Sequence, residues 1–395
     1  MRYTPRMTVA RVVVFFSVLV TILSAVHYYL WARLVRDVGW SAPYHDALTL
    51  ALIVLAALLP AGFVLMRLLP RGLLSPLMWA LYTWMGLMFF LFVLLIPADI
   101  VRGVAWLIDW ISGAPVDPAR RLLLARIFGG AVGLGGLGMA GYALYSAARQ
   151  VAVKPVQIAL RGLPDAFAGF RIVQLSDIHV GPTIGRRFIE DLVARTNALQ
   201  PDLVAITGDL VDGSVADLGA LVEPLRELRA RHGVYFVTGN HEYFSGADAW
   251  IEHLRGLGVT VLRNERVELE RDGQRIDLAG IDDPTGGSFA AGHGPDLARA
   301  LAGRDPTRPV ILLAHQPLGA HVAAQHGVSL QISGHTHGGQ IFPFNLLVGL
   351  QQPYVAGLHR LNDMAIYVSV GTGYWGPPMR LGVPAELTDI TLHPE

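Results

Sequence analysis

The chain has 395 residues, with 31 Lys plus Arg balancing 31 Asp plus Glu, and 52% of it is apolar. That length admits two or three ordinary domains, and the balanced charge leaves no bulk positive field to gather nucleic acid through its phosphates. No cysteine is present, which excludes disulfides and thiolate metal sites while leaving either redox compartment open.

The apolar residues crowd into the first third. Four stretches, Val12 to Trp31, Ala47 to Met66, Leu77 to Ile96 and Ile127 to Ala147, approach the ~20 residues a helix needs to cross a bilayer. Arg2, Arg6 and Arg11 precede the first, but its length and the three later spans argue against a cleaved signal peptide. Charged residues (Arg33, Arg36, Arg67, Arg71, Arg102, Arg126, Arg149) read as span ends. With none read at depth, an anchoring bundle is expected and not a pump or ion path. The last span carries Gly129, Gly130, Gly133, Gly135, Gly136, Gly138 and Gly141, small residues that admit a close neighbour within the bundle or from a second copy, giving a homo-oligomer.

An even number of spans puts both termini on one side. Arg2, Arg6, Arg11, Arg67, Arg71, Arg149, Lys154 and Arg161 face Arg33, Arg36, Arg102, Arg120, Arg121 and Arg126 across the membrane. Positive-inside counting favours a cytoplasmic catalytic domain on an integral, multi-pass protein of the cell (inner) membrane. The expected division is a membrane domain over 1–150 and a second domain over 151–395.

After Gln150 short β runs alternate with amphipathic segments. Val156 to Leu160 and Arg171 to Leu175 read as strands, as do Leu203 to Ile206, Val234 to Val237, Val310 to Leu313 and Val328 to Ile332. Helical spacing covers Arg186 to Leu199, Ala216 to Arg231 and Ala247 to Leu257. From Val259 to Ile281 short strands turn at Arg263-Asn264 and Asp272-Gly273. This order suggests an α/β domain with a mixed sheet, or two sheets face to face with helices outside.

Metal-binding side chains follow those strands in five blocks: Asp177-Ile178-His179, Gly208-Asp209, Gly239-Asn240-His241-Glu242, Ala314-His315 and Gly334-His335-Thr336-His337. Strand ends are where open sheets gather polar chemistry. A His, Asp and Asn set suits divalent ions such as Mn, Fe or Zn. Asp177 and His179, two apart in extended backbone, would point the same way with Ile178 inward. Gly208 permits a tight turn before Asp209, whose two oxygens can bridge two ions. Two adjacent metals point to phosphoester chemistry.

The five blocks, in this order, resemble the calcineurin-like metallophosphoesterase superfamily from Val156 to the C-terminus. Gly334 to Gln340 (GHTHGGQ) and Gly376 to Pro384 (GPPMRLGVP) are similar to its membrane-associated branch. That branch includes YkuE-like phosphoesterases, LpxG-type UDP-diacylglucosamine hydrolases and transmembrane proteins with a metallophosphoesterase domain. The resemblance implies two mixed β-sheets packed face to face, flanked by helices, behind a four-helix transmembrane region. It implies one metal on Asp177, His179, Asp209 and His337, and a second on Asp209, Asn240, His315 and His335. His241 would be catalytic and Glu242 would orient its imidazole, although many members have Asp at the latter place. A metal-activated water would hydrolyse the phosphoester.

Arg380 is a candidate substrate contact, through a guanidinium able to hold two phosphate oxygens, against an ion pair at the surface. Asp282 and Asp283 before Pro284 read first as turn residues. Tyr374 and Trp375 have no role that the sequence decides between pocket cover and bilayer contact. The expected partners are the bilayer and a phosphoester substrate, lipid-linked because anchoring concentrates such substrates. A membrane scaffold or sensor with a non-hydrolytic domain is the alternative.

Overall fold

The computed structural model describes residues 9–69, 71–113 and 117–395; Arg2 and Arg6 lie outside them. It divides into two compact units. One holds the helices through Ser146 together with Gly376–Met379, and the other holds Ala147–Trp375 with Arg380–Glu395.

The helical unit contains α1 (Val9–Trp31), α2 (Ala42–Leu68), α3 (Arg71–Ser112) and α4 (Pro118–Ala148). All four are long and apolar enough to cross a membrane. The helix that carries the expected third span outruns it: α3 runs unbroken for 42 residues through Pro76 and Pro97, so Asp99 and Arg102 sit within a helix and not beyond its end. They are paired. Asp99 accepts from Tyr29 Oη at 2.8 Å, Arg33 Nε at 2.9 Å and Arg102 Nη1 at 3.3 Å. His27 is a buried ionisable group that the sequence reading passed over. Its Nδ1 reaches Leu23 O at 2.8 Å and its Nε2 accepts from Trp84 Nε1 at 3.0 Å. Within the same unit Met379 is fully buried, and a Cβ at Gly86 would lie 2.3 Å from its sulfur, so a side chain there would have to displace the methionine. Along α4, Gly129 and Gly136 are closed over by Val38 and Leu91, while Gly130, Gly133, Gly138 and Gly141 meet nothing.

The other unit is built on two six-stranded mixed sheets. Its strands are β1 (Ala152–Leu160), β2 (Arg171–Leu175), β3 (Leu203–Ile206), β4 (Val234–Phe236), β5 (Thr260–Val261), β6 (Glu265–Arg271), β7 (Gln274–Gly280), β8 (Val310–Leu313), β9 (Leu330–Ser333), β10 (Gly357–Leu361), β11 (Met364–Val368) and β12 (Glu386–Pro394). The orders are β1-β12-β2-β3-β4-β5 and β10-β11-β9-β8-β7-β6. Strands β2 to β5 run parallel in the first, and β7, β8, β9 and β11 in the second.

Parallel strands covered on both faces read as unbroken apolar runs, and β2, β3 and β8 are buried almost throughout. One core joins both sheets, with Ile172, Leu203 and Ile390 meeting Leu278, Leu313 and Ile332. A second lies on the first sheet, where α5 (Arg186–Ala198), α6 (Val215–Val222) and α8 (Ala247–Gly256) supply Ile189, Leu218, Trp250 and Leu254 against Val173, Val204 and Phe236. The helix expected over Ala216 to Arg231 stops at Val222. Pro224 has no N–H to continue an α-helical ladder, and the chain tightens into a 3₁₀ turn over Glu223–Glu227.

Candidate metal centre

Five loops leave the carboxyl ends of β2, β3 and β4, parallel to one another in one sheet, and of β8 and β9, parallel to each other in the second. Both sheets therefore deliver side chains to one end of the sandwich. The loops after β2 and β3 are laced together. Asp177 N donates to Gly208 O and His179 N to Asp209 O, each at 3.1 Å, and Val180 N donates to Leu210 O at 2.8 Å.

The expected extended backbone at Asp177 and His179 is not what forms. Both adopt left-handed conformations, φ 54° and 55°, and so do Asp209 (51°), His335 (73°) and His337 (50°). Such conformations cost non-glycine residues ~1–3 kcal/mol each and persist only where the surroundings impose them. Ile178, buried between Asp177 and His179, anchors the loop so that both neighbours still reach one cluster. Gly334 is imposed by space: a Cβ there would lie 2.0 Å from Ser176 Oγ and 2.2 Å from Asp177 Oδ2.

Two donor groups result. In one, Asp177, His179 and His337 converge; in the other, Asp209, His315 and His335 do, each within 4.8 Å, and a further cluster of His179, Asp212 and His241 adjoins the first through His179. His179 Nε2 faces His337 Nε2 at 3.0 Å, and His337 Nε2 lies 3.5 Å from Asp177 Oδ1. His315 Nε2 stands 3.1 Å from Asp209 Oδ2 and 3.2 Å from His335 Nδ1. Asp209 Oδ2 is also 3.9 Å from His179 Nε2, so one carboxylate lies between the groups.

Asn240 opens α7 (Asn240–Ser245), and its Oδ1 is buried without a hydrogen-bond partner. A buried carbonyl oxygen left unpaired is costly, and the imidazole nitrogens of His179 and His337, 3.0 Å apart, could exchange their mutual contact for a shared cation. Both conditions are relieved by cations. The donor set of His, carboxylate and amide oxygens therefore fits two divalent metals.

Electrostatics agrees with that fit for His335 and His337, whereas His315 would have to give up a proton to bind a metal. Burial works against the charge on Asp209, yet His315, His241 and His179 hold its carboxyl well below the usual range. His315 is held well above its ordinary value, against burial, by Asp209. Burial and the charge on His315 push His335 down to about 4. Burial, His179 and Arg380 push His337 well down. Neutral His335 and His337 present lone pairs, which is the form a metal needs.

His241 sits beside this centre. Its Nδ1 lies 2.5 Å from Asp212 Oδ1, and its Nε2 faces Asp209 Oδ2 at 3.9 Å. Burial opposes its charge, but Asp209 and Asp212 hold the imidazole up at about 9. The sequence reading passed over Asp212, which also meets His179 Nδ1 at 3.1 Å. The signal was an acid three residues after Asp209, in the otherwise apolar run Leu210-Val211.

The role expected of Glu242 is corrected. Its carboxylate accepts from the backbone N–H of Gly239 at 2.7 Å, Leu210 at 2.8 Å and Asp209 at 3.0 Å. It holds two loops together and leaves the His241 ring to Asp212. Burial and the charge on Asp209 push its carboxyl up to about 7.

Arg380 is neither a substrate contact nor a surface ion pair. It is 0% exposed and donates to the carbonyls of Gly373 (2.6 and 2.9 Å), Val370 (2.9 Å) and Val383 (3.1 Å). Burial lowers its guanidinium to about 10. Asp283 caps a turn through Thr285 N at 2.8 Å, and Asp282 pairs with Arg263 at 2.6 Å, in line with the turn reading. Tyr374 is buried, while Trp375 is 56% exposed. The rings of Trp375 and Phe244 stand 5.9 and 5.5 Å from that of His241, and Phe289 stands 5.5 Å from Phe244. The mouth of the site is aromatic.

Residues 170–339 match the profile of the calcineurin-like phosphoesterases. The chain is 32% identical over 285 residues to the uncharacterized metallophosphoesterase YkuE of Bacillus subtilis, across 69% of this chain and 97% of that one. The chain belongs to the calcineurin-like phosphoesterase family. Within this family it is also similar to proteins named transmembrane protein with metallophosphoesterase domain. The one from Bos taurus is 45% identical over 260 residues, 63% of this chain and 59% of that one. The one from Danio rerio is 43% identical over 262 residues, 64% and 60%. The match thus spans about 60% of the length of these two relatives.

Proposed function

We propose that the chain is a membrane-anchored phosphoesterase that depends on two divalent metals. It would hydrolyse a phosphomonoester, phosphodiester or pyrophosphate bond with a metal-activated water, on a lipid-linked substrate. The observation that carries this reading is the convergence of two His–carboxylate groups on Asp209, with His241 beside them.

Asp177, His179, Asp209 and His337 would hold one cation, and Asp209, Asn240, His315 and His335 the other. Cations there would supply charge to the phosphoryl oxygens and lower the pKa of water. Asp212 fixes the His241 ring through Nδ1 and leaves Nε2 facing the centre, placed to stabilise developing charge or protonate the leaving oxygen. Glu242 keeps the loops carrying Asp209 and Asn240 in register. The aromatic rings of Phe244, Phe289 and Trp375 limit water at the mouth. The lipid part of the reading is supported by the four membrane-length helices, since a site anchored to a bilayer meets lipid-linked phosphates at raised local concentration.

The test is hydrolysis by full-length protein in nanodiscs with added Mn, against UDP-diacylglucosamine, a phospholipid phosphate and an aryl phosphodiester. Mn-dependent turnover that disappears in Asp209→Asn and His241→Ala is the expected result. Preference for a lipid compound over the aryl ester supports the lipid part, and equal rates would remove it. A protein that binds no metal would sink the whole reading.

A further inference from the structure

Outside the metal centre, the catalytic unit carries one dense exposure of large apolar side chains. Phe342, Phe344, Leu346, Leu347 and Leu350 are exposed by 48%, 49%, 68%, 55% and 82%, on and around the one-turn helix Asn345–Val348. From Ile341 to Leu358 the sequence holds no Asp, Glu, Lys or Arg. An aqueous surface does not keep such a patch without a partner. The patch continues to the mouth of the metal centre. Gln340 exchanges two hydrogen bonds with the Trp375 backbone, each at 2.9 Å, and the exposed Trp375 ring stands beside His241.

The occupant follows from chemistry on the same chain. Four helices are long and apolar enough to cross a bilayer. Between the end of α4 at Ala148 and the start of β1 at Ala152 only Arg149, Gln150 and Val151 intervene, about 10 Å at full extension. That linker ties the start of the catalytic unit to within about 10 Å of the end of α4. A patch of Phe and Leu with no charge, bordered by a Trp, matches the boundary between headgroups and acyl chains. Beside it opens a cavity of about 460 Å³ lined by Leu346, Val355, Val370 and Val383, together with the buried Glu386 and the exposed Lys154. Lys154 is the chain's only lysine, and a cation at that level is drawn to lipid phosphates.

We infer that Phe342–Leu350 is a docking lip that inserts into the lipid interface. It sets the mouth of the metal centre, through Gln340 and Trp375, against the bilayer surface. The lip needs no reaction to act, so it stands apart from the phosphoesterase reading.

The absence of cysteine makes the test direct. Leu347→Cys and Leu350→Cys in the full-length chain, in nanodiscs, each take a spin label whose exposure to oxygen and to a water-soluble nickel chelate gives its depth. Leu318→Cys, on another exposed turn at 48%, serves as the reference. The expected result is a depth of ~5–10 Å below the phosphates for both lip labels, with the Leu318 label in water. Lip labels as aqueous as the reference overturn the inference. So do labels shielded from both probes and dipolar-coupled between two chains, which would assign the face to a second copy. Depth does not depend on turnover, so a protein that docks but hydrolyses nothing overturns only the proposed reaction.

Discussion

In the helical unit exposed apolar side chains occur along every span, among them Val14, Leu50, Ile53, Ile100 and Leu134. In the catalytic unit the same residue types are packed between and outside two sheets, apart from scattered positions and the Phe342–Leu350 loop. The two units use one alphabet for two solvents. Where the surroundings are lipid, apolar exposure costs nothing and polar groups pair off, as Asp99 does with Tyr29, Arg33 and Arg102. Where the surroundings are water, apolar burial is the driving force, and polar groups can be committed at strand ends to a function that costs stability. The catalytic unit gathers left-handed backbone and the unpaired Asn240 amide oxygen in one place; the helical unit has no such cluster among the described residues.

The sharpest way to break this contrast is to remove the carboxylate between the two donor groups. Asp209→Asn is expected to reduce kcat/KM by ~10³-fold or more, the scale of losing metal stabilisation of the transition state. Bound metal, measured by elemental analysis, should fall with it. Full metal content with full activity would show that the two groups do not share Asp209.

Next in size is Arg380→Met. It leaves buried carbonyls of Gly373, Val370 and Val383 without their donor, at about 3 kcal/mol in all. In a unit of this size that corresponds to roughly 6–12 °C in Tm, read by thermal unfolding. A substrate contact would behave oppositely, with Tm unchanged and KM raised. Asp212→Asn should be milder, about 10-fold in kcat. The amide keeps one oxygen for His241 but loses the charge that helps hold its pKa near 9. The alkaline limb of the kcat profile should also move to lower pH, because the imidazolium loses its carboxylate partner and gives up its proton more readily. An unchanged profile would mean that Asp212 only packs the ring.

What could be read in advance differs between the units for physical reasons. In the catalytic unit, buried parallel strands made of residues such as Leu203 to Ile206 or Val310 to Leu313 announce themselves, and the polar residues after them stand out against apolar runs. Side-chain partnership is not encoded in that way. Glu242 follows His241 in sequence, but the helical turn at Asn240 points its carboxylate back at three N–H groups. Asp212, 29 residues earlier, meets the ring instead. Arg380 looked like a phosphate contact because a guanidinium in a Gly- and Pro-rich loop usually faces water. Here the loop folds over it, and its donors satisfy the loop's own carbonyls. In the helical unit, hydropathy located all four spans but cut α3 short at Ile96. Pro97 and Asp99 lower the hydropathy, while the backbone ladder continues past them to Ser112.

The smallest effect tests the other side of the contrast. Tyr29→Phe removes one hydrogen bond to Asp99 and leaves Arg33 and Arg102 in place. Polar pairs between membrane helices average about 0.6 kcal/mol, so unfolding of the helical unit in detergent should shift only slightly. If that unit serves as an anchor, kcat on a soluble diester must stay at the wild-type value. A fall in kcat from this single hydroxyl would mean that the Asp99 cluster communicates with the metal centre, and the division of labour between the two units would have to be abandoned.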